Sequence, residues 1–274
     1  MELKELKKAS DGFSKSSIMP VYFLGHGNPM NAIYNNAFTQ RLEVLGKDLN
    51  ELHPNAILVI SAHWLTNGTQ VMASEHPKTI HDFYGFPEEL FRQQYPAPGA
   101  PVLAKEVTQM VTSTTVEESL DWGLDHGTWS LLIHMFPQAN IPVFQLSINA
   151  AKPAAWHYQL AAELATLRQK GVLIIASGNI VHNLHSVSFA ENPQPYGWAI
   201  EFDELVKNKL LTRQYSDLLN YAQLGKAAQL SIPTNDHYLP MMYALGVTQK
   251  VEELKFVYEK IQNASISMRC FQIG

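Results

Sequence analysis

Five of the eleven histidines in this chain stand where the sequence leaves an apolar run or begins a helical pattern. They are His26 in FLGHGNPM, His63 in VISAHW, His126 in LDHGTW, His182 in SGNIVHNL and His237 in PTNDHYLP. Imidazole is the most common metal ligand among side chains, and it exchanges a proton easily near neutral pH. Histidines gathered from separate loops therefore predict a metal site, a proton-transfer site, or both.

The other histidines carry weaker signals. His81 lies in the IHDF segment, and His185 follows His182 by three residues, a spacing that places two side chains on one face of a helical turn. Both are candidates for a supporting contact or a substrate contact. The remaining four lie in polar connectors or helical patterns, and we assign them structural roles: His53, His76, His134 and His157.

The sequence lacks the motifs of dinucleotide binding, of serine hydrolases, of HExxH metalloproteases and of P-loop proteins. The GHGNPM segment has Met30 where a dinucleotide-binding loop needs its third glycine, so Gly25 and Gly27 are expected only to let the backbone turn around His26. Ser177 lacks the GxSxG context of a hydrolase nucleophile, and neither HExxH nor a P-loop occurs. A histidine-rich site suits Zn²⁺, Fe²⁺, Ni²⁺ or Cu²⁺ better than Mg²⁺ or Ca²⁺.

Short apolar runs and one amphipathic stretch predict the elements that hold these histidines. The stretch 153–169 predicts a helix, with Trp156, Leu160 and Leu164 on one face and Gly171 at its end. Residues 196–230 are expected to be mostly helical. The runs with the length and Val/Ile content of buried strands are Pro20–Leu24, Ala56–Ile60, Val143–Ile148, Val172–Ala176, Leu254–Tyr258 and Ile266–Ile273.

The alternation of strands and helices predicts an α/β fold, a single domain with a central mixed, mostly parallel sheet flanked by helices. His26, His63 and His182 each follow the carboxyl end of a predicted strand, which is where ligands bind in open α/β sheets. His237 precedes a predicted helix, so it too belongs to a loop layer. The topology therefore predicts that these histidines converge on one crevice.

Composition and charge exclude several classes of protein. Of 274 residues, 46% are hydrophobic and 16% charged, which is enough apolar material for one sizeable core. The net charge of -5 argues against nucleic-acid binding, and no apolar stretch approaches the roughly 20 residues of a membrane span. The lone Cys270, in an apolar run, is expected in the core and permits no internal disulfide.

From residues 1–18 we expect no targeting signal. Residues 1–18 are polar and are expected to form a loosely ordered tail, with the catalytic domain over 19–274. The tail lacks the apolar segment of a secretory signal, so we expect a cytoplasmic protein. The sequence leaves the oligomeric state open.

Taken together, the motifs resemble those of the bacterial and plant 4,5-DOPA extradiol dioxygenase family, within the class III extradiol ring-cleaving dioxygenases. The resemblance covers nearly the whole chain from about Met19 to Gly274. It rests on motifs in a fixed order: GHGNPM, SAHW, TIHDFYGFP, YPAPG, DHGTWSLL, QLSI followed by KPAAWH, SGNIVHNL, PTNDHYLP and the terminal QIG. It implies a dioxygenase that inserts O₂ into a catechol, with DOPA as substrate and a muconic semialdehyde as product.

The resemblance also implies a role for each histidine of the predicted site. It implies metal ligation by His26, His63 and His237, and by His182 as a fourth metal contact. His182 matches the acid/base of class III enzymes, and His126 matches a second catalytic histidine near the substrate. Lys152, in the KPAAWH segment, is a candidate to bind a substrate carboxylate.

The third ligand position bears on the identity of the metal. Many class III enzymes bind iron through two histidines and a glutamate, whereas the third position here is His237, beside Asp236. A set of histidines attracts Zn²⁺, which has no redox chemistry. We therefore expect one divalent ion, Fe²⁺ for catalysis, with Zn²⁺ as the ion bound in purified protein. Two alternatives stay open, a zinc-dependent hydrolase at the same site and a non-catalytic binding protein of this fold.

Overall fold

A six-stranded mixed sheet forms the centre of the molecule, and from one edge to the other its strands are Val143–Gln145, Ala56–Ser61, Val172–Gly178, Val21–Gly25, Cys270–Ile273 and Leu254–Tyr258. The computed structural model describes residues 18–249 and 251–274, so the predicted tail lies outside the described residues except for Ile18. The strands are β1 Val21–Gly25, β2 Ala56–Ser61, β3 Leu65–Thr66, β4 Thr69–Met72, β5 Val116–Ser119, β6 Val143–Gln145, β7 Ile148–Asn149, β8 Val172–Gly178, β9 Leu254–Tyr258, β10 Ile261–Gln262, β11 Ile266–Ser267 and β12 Cys270–Ile273. The helices are α1 Ala37–Asn50, α2 Glu88–Phe91, α3 Pro101–Met110, α4 His126–Met135, α5 Ala154–Glu163, α6 Gly197–Leu211, α7 Tyr215–Leu219, α8 Lys226–Ser231 and α9 Leu239–Gly246.

The predicted α/β architecture is confirmed. Strands β6, β2, β8 and β1 run parallel, and β12 and β9 complete the sheet with antiparallel pairings. Every residue of β2 and β8 is buried. Strands covered on both faces show continuous apolar sequence instead of alternation, which explains why the AILVI and VLIIA runs were recognisable.

Two predicted strands are in fact split, because the chain changes partner within each run. The run Val143–Ile148 contributes β6 to the main sheet, and then β7 leaves it to pair with β3. The run Ile266–Ile273 contributes β11, which pairs with β10, and then β12. Here the Ser267 hydroxyl and the Arg269 guanidinium both bond the Asp203 carboxylate of α6, which holds the connecting residues out of the main sheet.

The predicted helix over 153–169 also divides in two. Helix α5 ends at Glu163, and a 3₁₀ helix continues from Ala165 to Lys170. The N–H of Leu164 bonds the carbonyl of Ala161, the tighter spacing at which α-helices commonly pass into 3₁₀ turns. Gly171 then ends the segment at φ 76°, as expected.

The remaining helices cover the sheet and position its loops. Helix α4 packs against α1, and α9 packs against both α5 and β8. The predicted helical region 196–230 holds α6, α7 and most of α8. Within residues 18–249 and 251–274, no helix combines the length and apolar character that crossing a membrane requires. Cys270 is buried in β12, as predicted.

Candidate metal centre

The five histidines singled out from the sequence line one cavity of about 460 Å³ at the carboxyl ends of β1, β2 and β8. His26 directly follows β1, His63 lies two residues beyond β2, and His182 lies four residues beyond β8. His126 is the first residue of α4, and His237 stands two residues before α9. The volume is in the range of small-molecule sites, roughly 300–1,000 Å³.

His26, His63 and His237 present ring nitrogens that all lie within 4.8 Å of one another. The Nε2 atoms of His26 and His63 face each other at 3.1 Å. The two rings are tilted by 58°, with centroids 5.0 Å apart. The arrangement directs ring nitrogens from three separate loops toward one point in the cavity.

Hydrogen bonds determine which nitrogen of His26 is free. The Ser177 hydroxyl donates to the carbonyl of Gly127 at 2.5 Å, so its oxygen can only accept from Nδ1 of His26, 2.9 Å away. The Nδ1 of His26 therefore carries the proton and Nε2 has a bare lone pair. Partners of this kind on the second ring nitrogen are what fix metal-binding histidines in protein sites.

Asp82 fixes the ring proton on Nδ1 in two histidines at once. Its Oδ2 accepts from Nδ1 of His63 at 3.2 Å, and its Oδ1 accepts from both Nδ1 and the backbone N–H of His126 at 2.9 Å. The rings of His63 and His126 lie 3.9 Å apart. One carboxylate thus orients a proposed metal ligand and a second histidine of the cavity lining.

His237 and His182 form the other side of the site. The Nδ1 of His237 bonds the carboxylate of Asp236, which again leaves Nε2 free. The ring of His182 stacks on that of His237, with centroids 3.5 Å apart and planes within 8°. Ligating atoms of His182, Asp236 and His237 also lie within 4.8 Å of one another, so His182 groups with His237 and not with the pair formed by His26 and His63.

The donor set fits a transition-metal ion. Two nitrogen ligands at about 2.0–2.1 Å from a tetrahedral ion stand about 3.3 Å apart, close to the separation of the Nε2 atoms of His26 and His63. The Nδ1 proton of His26 is bonded to Ser177 and that of His63 to Asp82, so each Nε2 atom carries a lone pair. These two lone pairs face each other. Facing lone pairs repel unless a cation lies between them, so the geometry is that of a cation site.

Burial and neighbouring charge set the pKa values in the cavity. Burial lowers the pKa of His26 and His237 well below the ordinary imidazole value, and the surrounding histidines lower it further. Burial also lowers the pKa of His126, and that of His182 to about 4. Neutral imidazoles are the form that binds metal.

The pKa values of His63 and Asp82 shift in the direction opposite to the one that burial alone would cause. Burial opposes protonation of His63, but the hydrogen bond to Asp82 and the nearby Asp125 and Asp236 outweigh it and raise the pKa of this histidine. Burial likewise favours the neutral form of Asp82, yet the hydrogen bonds from His126 and His63 hold its pKa below the usual range. The carboxylates therefore favour a cation on the free Nε2 of His63, whether a proton or a metal ion.

The supporting carboxylates and Ser177 were missed as site residues in the sequence analysis. Asp82 follows His81, which drew attention instead, and Asp236 was noted only as the neighbour of His237. Asp125 is fully buried, and it accepts from Ser61 Oγ at 2.6 Å and from Gln145 Nε2 at 2.7 Å. The available signal was position, because Asp125 and Asp236 each adjoin one of the five histidines and Asp82 adjoins the weaker candidate His81.

The weaker candidates lie outside the cavity lining. His81 bonds the carbonyl of Gln93 and packs 5.8 Å from the ring of Phe83, which does line the cavity. His185 is exposed in a 3₁₀ turn. Lys152, the candidate for a substrate carboxylate, lies over the ring of Trp156, 5.7 Å from its centroid.

The four histidines that were given structural roles also lie outside the cavity lining. His134 bonds the carbonyl of Asn31, and His157 bonds the hydroxyl of Tyr243. His53 and His76 are exposed.

Comparison with known proteins gives matches along nearly the whole chain. Residues 15–269 match the family described as the catalytic LigB subunit of aromatic ring-opening dioxygenase. A protein of Escherichia coli K12 named 4,5-DOPA dioxygenase extradiol is 44% identical, with 96% of this chain and 98% of that protein aligned. One of the same name from Mirabilis jalapa is 38% identical over 86% of this chain and 90% of its own length. The crystal structure of an uncharacterized Escherichia coli K12 protein superposes with a TM-score of 0.81 at 42% identity, covering 93% of this chain and 100% of that one.

Proposed function

The chain belongs to the family of catalytic LigB subunits of aromatic ring-opening dioxygenases and is an extradiol dioxygenase, and from this premise we propose that it cleaves a catechol at one divalent ion held by His26, His63 and His237. The observation that carries the proposal is the pair of facing Nε2 atoms of His26 and His63. Both have their Nδ1 protons engaged elsewhere, so the pair is arranged for a cation. The third ligand, His237, is oriented by Asp236 in the same way.

Iron is the metal that we propose for catalysis. Such an ion, when bound, supplies a Lewis acid for the catechol oxygens and, as Fe²⁺, the electron exchange that lets a catecholate react with O₂. Zn²⁺ fits the same three imidazoles but has no redox chemistry. We therefore propose that zinc occupies the site in purified protein and leaves the enzyme without dioxygenase activity.

The residues around the ligands supply proton transfer and orientation. His182, stacked on His237 at the cavity wall, is placed to accept a hydroxyl proton from the catechol and to return it as the ring opens. His126 is placed to accept a hydrogen bond from a substrate hydroxyl, because its Nδ1–H donates to Asp82 and leaves the lone pair of Nε2 for the cavity. We propose His182 and His126 as catalytic residues, and we propose His182 also as a fourth metal contact, approached from the side of His237, with which its ligating atom groups.

We propose DOPA as a substrate, since the relatives from Escherichia coli and Mirabilis jalapa carry that substrate in their names. The reaction uses one catechol and one O₂. The carbon–carbon bond beside the pair of hydroxylated carbons breaks, and both oxygen atoms enter the product, a muconic semialdehyde. No external reductant is needed, because the catechol supplies all the electrons that O₂ accepts.

The test is anaerobic removal of bound metal, loading with Fe²⁺ and addition of oxygen with a catechol. We expect oxygen uptake in about one-to-one ratio with catechol, together with a yellow ring-opened product. Zinc added back should compete for the site and suppress uptake. If the iron form consumes no oxygen with any catechol while the zinc form hydrolyses a test ester or amide, a zinc hydrolase replaces the dioxygenase as the function.

The ligand assignment is tested separately by replacing His26, His63 and His237 with alanine one at a time. Two remaining protein ligands make a poor site, so each variant should lose most of its metal. His134→Ala is a matched control, because His134 bonds a backbone carbonyl away from the cavity and should leave the metal content unchanged. Elemental analysis of purified proteins measures the result, and full metal content in a variant would remove that residue from the ligand set.

A further inference from the structure

The wall of the cavity that faces the histidines is apolar, and most of it comes from two loop segments. Residues 83–86, between β4 and α2, contribute Phe83, Tyr84 and Phe86. Residues 184–189, between β8 and α6, contribute Leu184, Val187 and Phe189. We call these two segments the aromatic loop and the aliphatic loop. Together they form the mouth through which a substrate reaches the site.

The side chains at this mouth are unusually exposed for their type. Tyr84 is 92% exposed, Phe189 82% and Leu184 64%. Single apolar residues on a surface are ordinary, but a contiguous patch at the rim of a cavity marks a place where an apolar ligand is bound. These three side chains line one cavity, so an apolar substrate group bound at its rim can be covered by them.

The same wall offers no positive charge. Among residues 18–249 and 251–274, no lysine or arginine lines the cavity. Its side-chain amides are partly engaged, because Asn28 Oδ1 accepts from the N–H of Met30 and Asn263 Nδ2 donates to the carbonyl of Ser188. The carboxylate in the lining, Asp82, is bonded to His63 and His126 and offers a substrate anion no partner.

We propose that the preferred substrate is a catechol whose ring carries an uncharged, apolar substituent, held between the aromatic loop and the aliphatic loop. This inference rests on the proposed dioxygenase function. A carboxylate in the same place would give up its water without gaining an ion pair. An apolar group gains from every methylene that it buries against Leu184 and Phe189, about fourfold in affinity for each. DOPA, which carries both a carboxylate and an ammonium group, remains a substrate on this proposal but has a lower kcat/KM than a neutral catechol of equal chain length.

The first experiment compares kcat/KM of the iron-loaded enzyme for substrates that share a three-carbon side chain. They are 4-propylcatechol, 3-(3,4-dihydroxyphenyl)propanoate and DOPA, with unsubstituted catechol as reference. We expect 4-propylcatechol to exceed both charged substrates by about tenfold or more. An equal or higher value for either charged substrate would overturn the proposal.

Variants of the aliphatic loop test where the substituent lies. Leu184→Ala should lower kcat/KM for 4-propylcatechol by about fourfold or more, and should lower the value for unsubstituted catechol by a smaller factor. Leu184→Arg should raise kcat/KM for the propanoate by about tenfold, because it supplies the missing cation. Leu120→Ala is the matched control, since Leu120 is 72% exposed and lies outside the cavity lining. Equal behaviour of Leu184→Ala and Leu120→Ala would contradict the assigned position.

These experiments distinguish a failure of the substrate preference from a failure of the proposed dioxygenase function. If the iron enzyme turns over catechol but prefers the carboxylated substrates, the dioxygenase function stands and the substituent preference is wrong. If no catechol is turned over, the dioxygenase function fails, and the preference is still measured as dissociation constants of the same compounds for zinc-loaded protein. In that measurement 4-propylcatechol must again bind about tenfold tighter than the propanoate, or the proposal is rejected.

Discussion

At the scale of single residues, Asp82 connects two functions that the sequence shows separately. It is one carboxylate with two oxygens, and each oxygen accepts a ring proton from a different histidine. His63 belongs to the proposed ligand set, whereas His126 faces the substrate space. Neither ring can turn without disturbing the group that orients the other.

Asp82→Asn should therefore impair metal binding and turnover together. The amide keeps the shape of the carboxylate, but its NH₂ group faces a ring N–H and its charge is gone. We expect metal affinity to fall by about 10–100-fold, as for other residues that orient metal ligands. Competition with a chelator measures this, and circular dichroism verifies the fold. The exposed Asp121→Asn is the control, and equal affinity in both variants would show that Asp82 orients nothing.

His182→Gln separates proton transfer from metal ligation. If His182 acts chiefly as the acid/base, the variant should retain most of its metal and still bind catechol. Turnover should fall by roughly two to four orders of magnitude. Metal content and kcat are measured on the same preparation. Parallel loss of both would make His182 a ligand, and near-normal turnover would exclude both roles.

The sequence predicted the histidines of the site but not the residues that orient them. His26, His63 and His182 follow strands that are visible as apolar runs, so their convergence was predictable from topology. The bond between Ser177 and His26 depends on the register of β8 beside β1, which pairs Ser177 with Leu24. Register at that precision is set by packing across the whole sheet, and no local pattern encodes it.

At the scale of elements, the carboxyl end of β8 holds the other loops of the site in place. The carbonyl of Ser177 accepts from the N–H of Ala62, and the carbonyl of Gly178 accepts from the N–H of His26. The N–H of Asn179 donates to the carbonyl of His237. The loops after β1 and β2 and the segment before α9 are thus fixed to one strand end.

Gly178→Ala tests this arrangement directly. A Cβ at position 178 would lie 2.2 Å from the carbonyl oxygen of His237, so the segment before α9 must move. We expect a loss of about 1–3 kcal/mol in the free energy of unfolding, and a larger relative loss of bound metal. Chemical denaturation and elemental analysis measure the two effects.

Gly197→Ala is the control for this substitution. Nothing lies within 4 Å of a Cβ at position 197, in the first turn of α6, so stability should be unchanged or slightly higher. A Gly178→Ala protein with normal stability and full metal content would mean that β8 does not constrain His237.

A strand was predictable from the sequence where its whole apolar run pairs with the same neighbouring strands. It was not predictable where the pairing strand changes within the run. β2 and β8 lie between strands on both sides, and their apolar runs indicated them almost to the residue. The divisions between β6 and β7 and between β11 and β12 arise from pairings with distant strands. A continuous apolar run contains no mark at the point where such a change occurs.

At the scale of the whole molecule, the core contains a histidine that makes the fold sensitive to acid. His157 of α5 is fully buried, and its Nδ1 bonds the hydroxyl of Tyr243 in α9. Burial lowers the pKa of His157 to about 4. In the unfolded chain the imidazole has its ordinary pKa, about 6.5. Between these values the unfolded chain binds a proton that the folded chain does not.

Stability from this group is therefore present above about pH 6.5 and is lost as the pH falls from there toward 4. We expect the free energy of unfolding to fall between pH 7 and pH 5 by about 2 kcal/mol more in the parent protein than in His157→Gln. Urea denaturation of both proteins in the presence of a chelator at each pH measures the difference. An equal fall in the free energy of unfolding in the two proteins would show that His157 is not responsible for the loss of stability in acid.

The proposed ligands are far apart along the chain, and this determines when a metal ion can be captured. A chain emerging from the ribosome presents His26 and His63 long before His237, so a partial chain holds two of the three ligands. The third ligand is brought to the other two only when α9 packs on β8 in the folded chain. Which ion binds, iron or zinc, is then determined by the affinity of the folded protein and by the concentrations of the free ions around it. Growing the producing cells with excess iron during protein synthesis should therefore change the metal content less than exchange after folding.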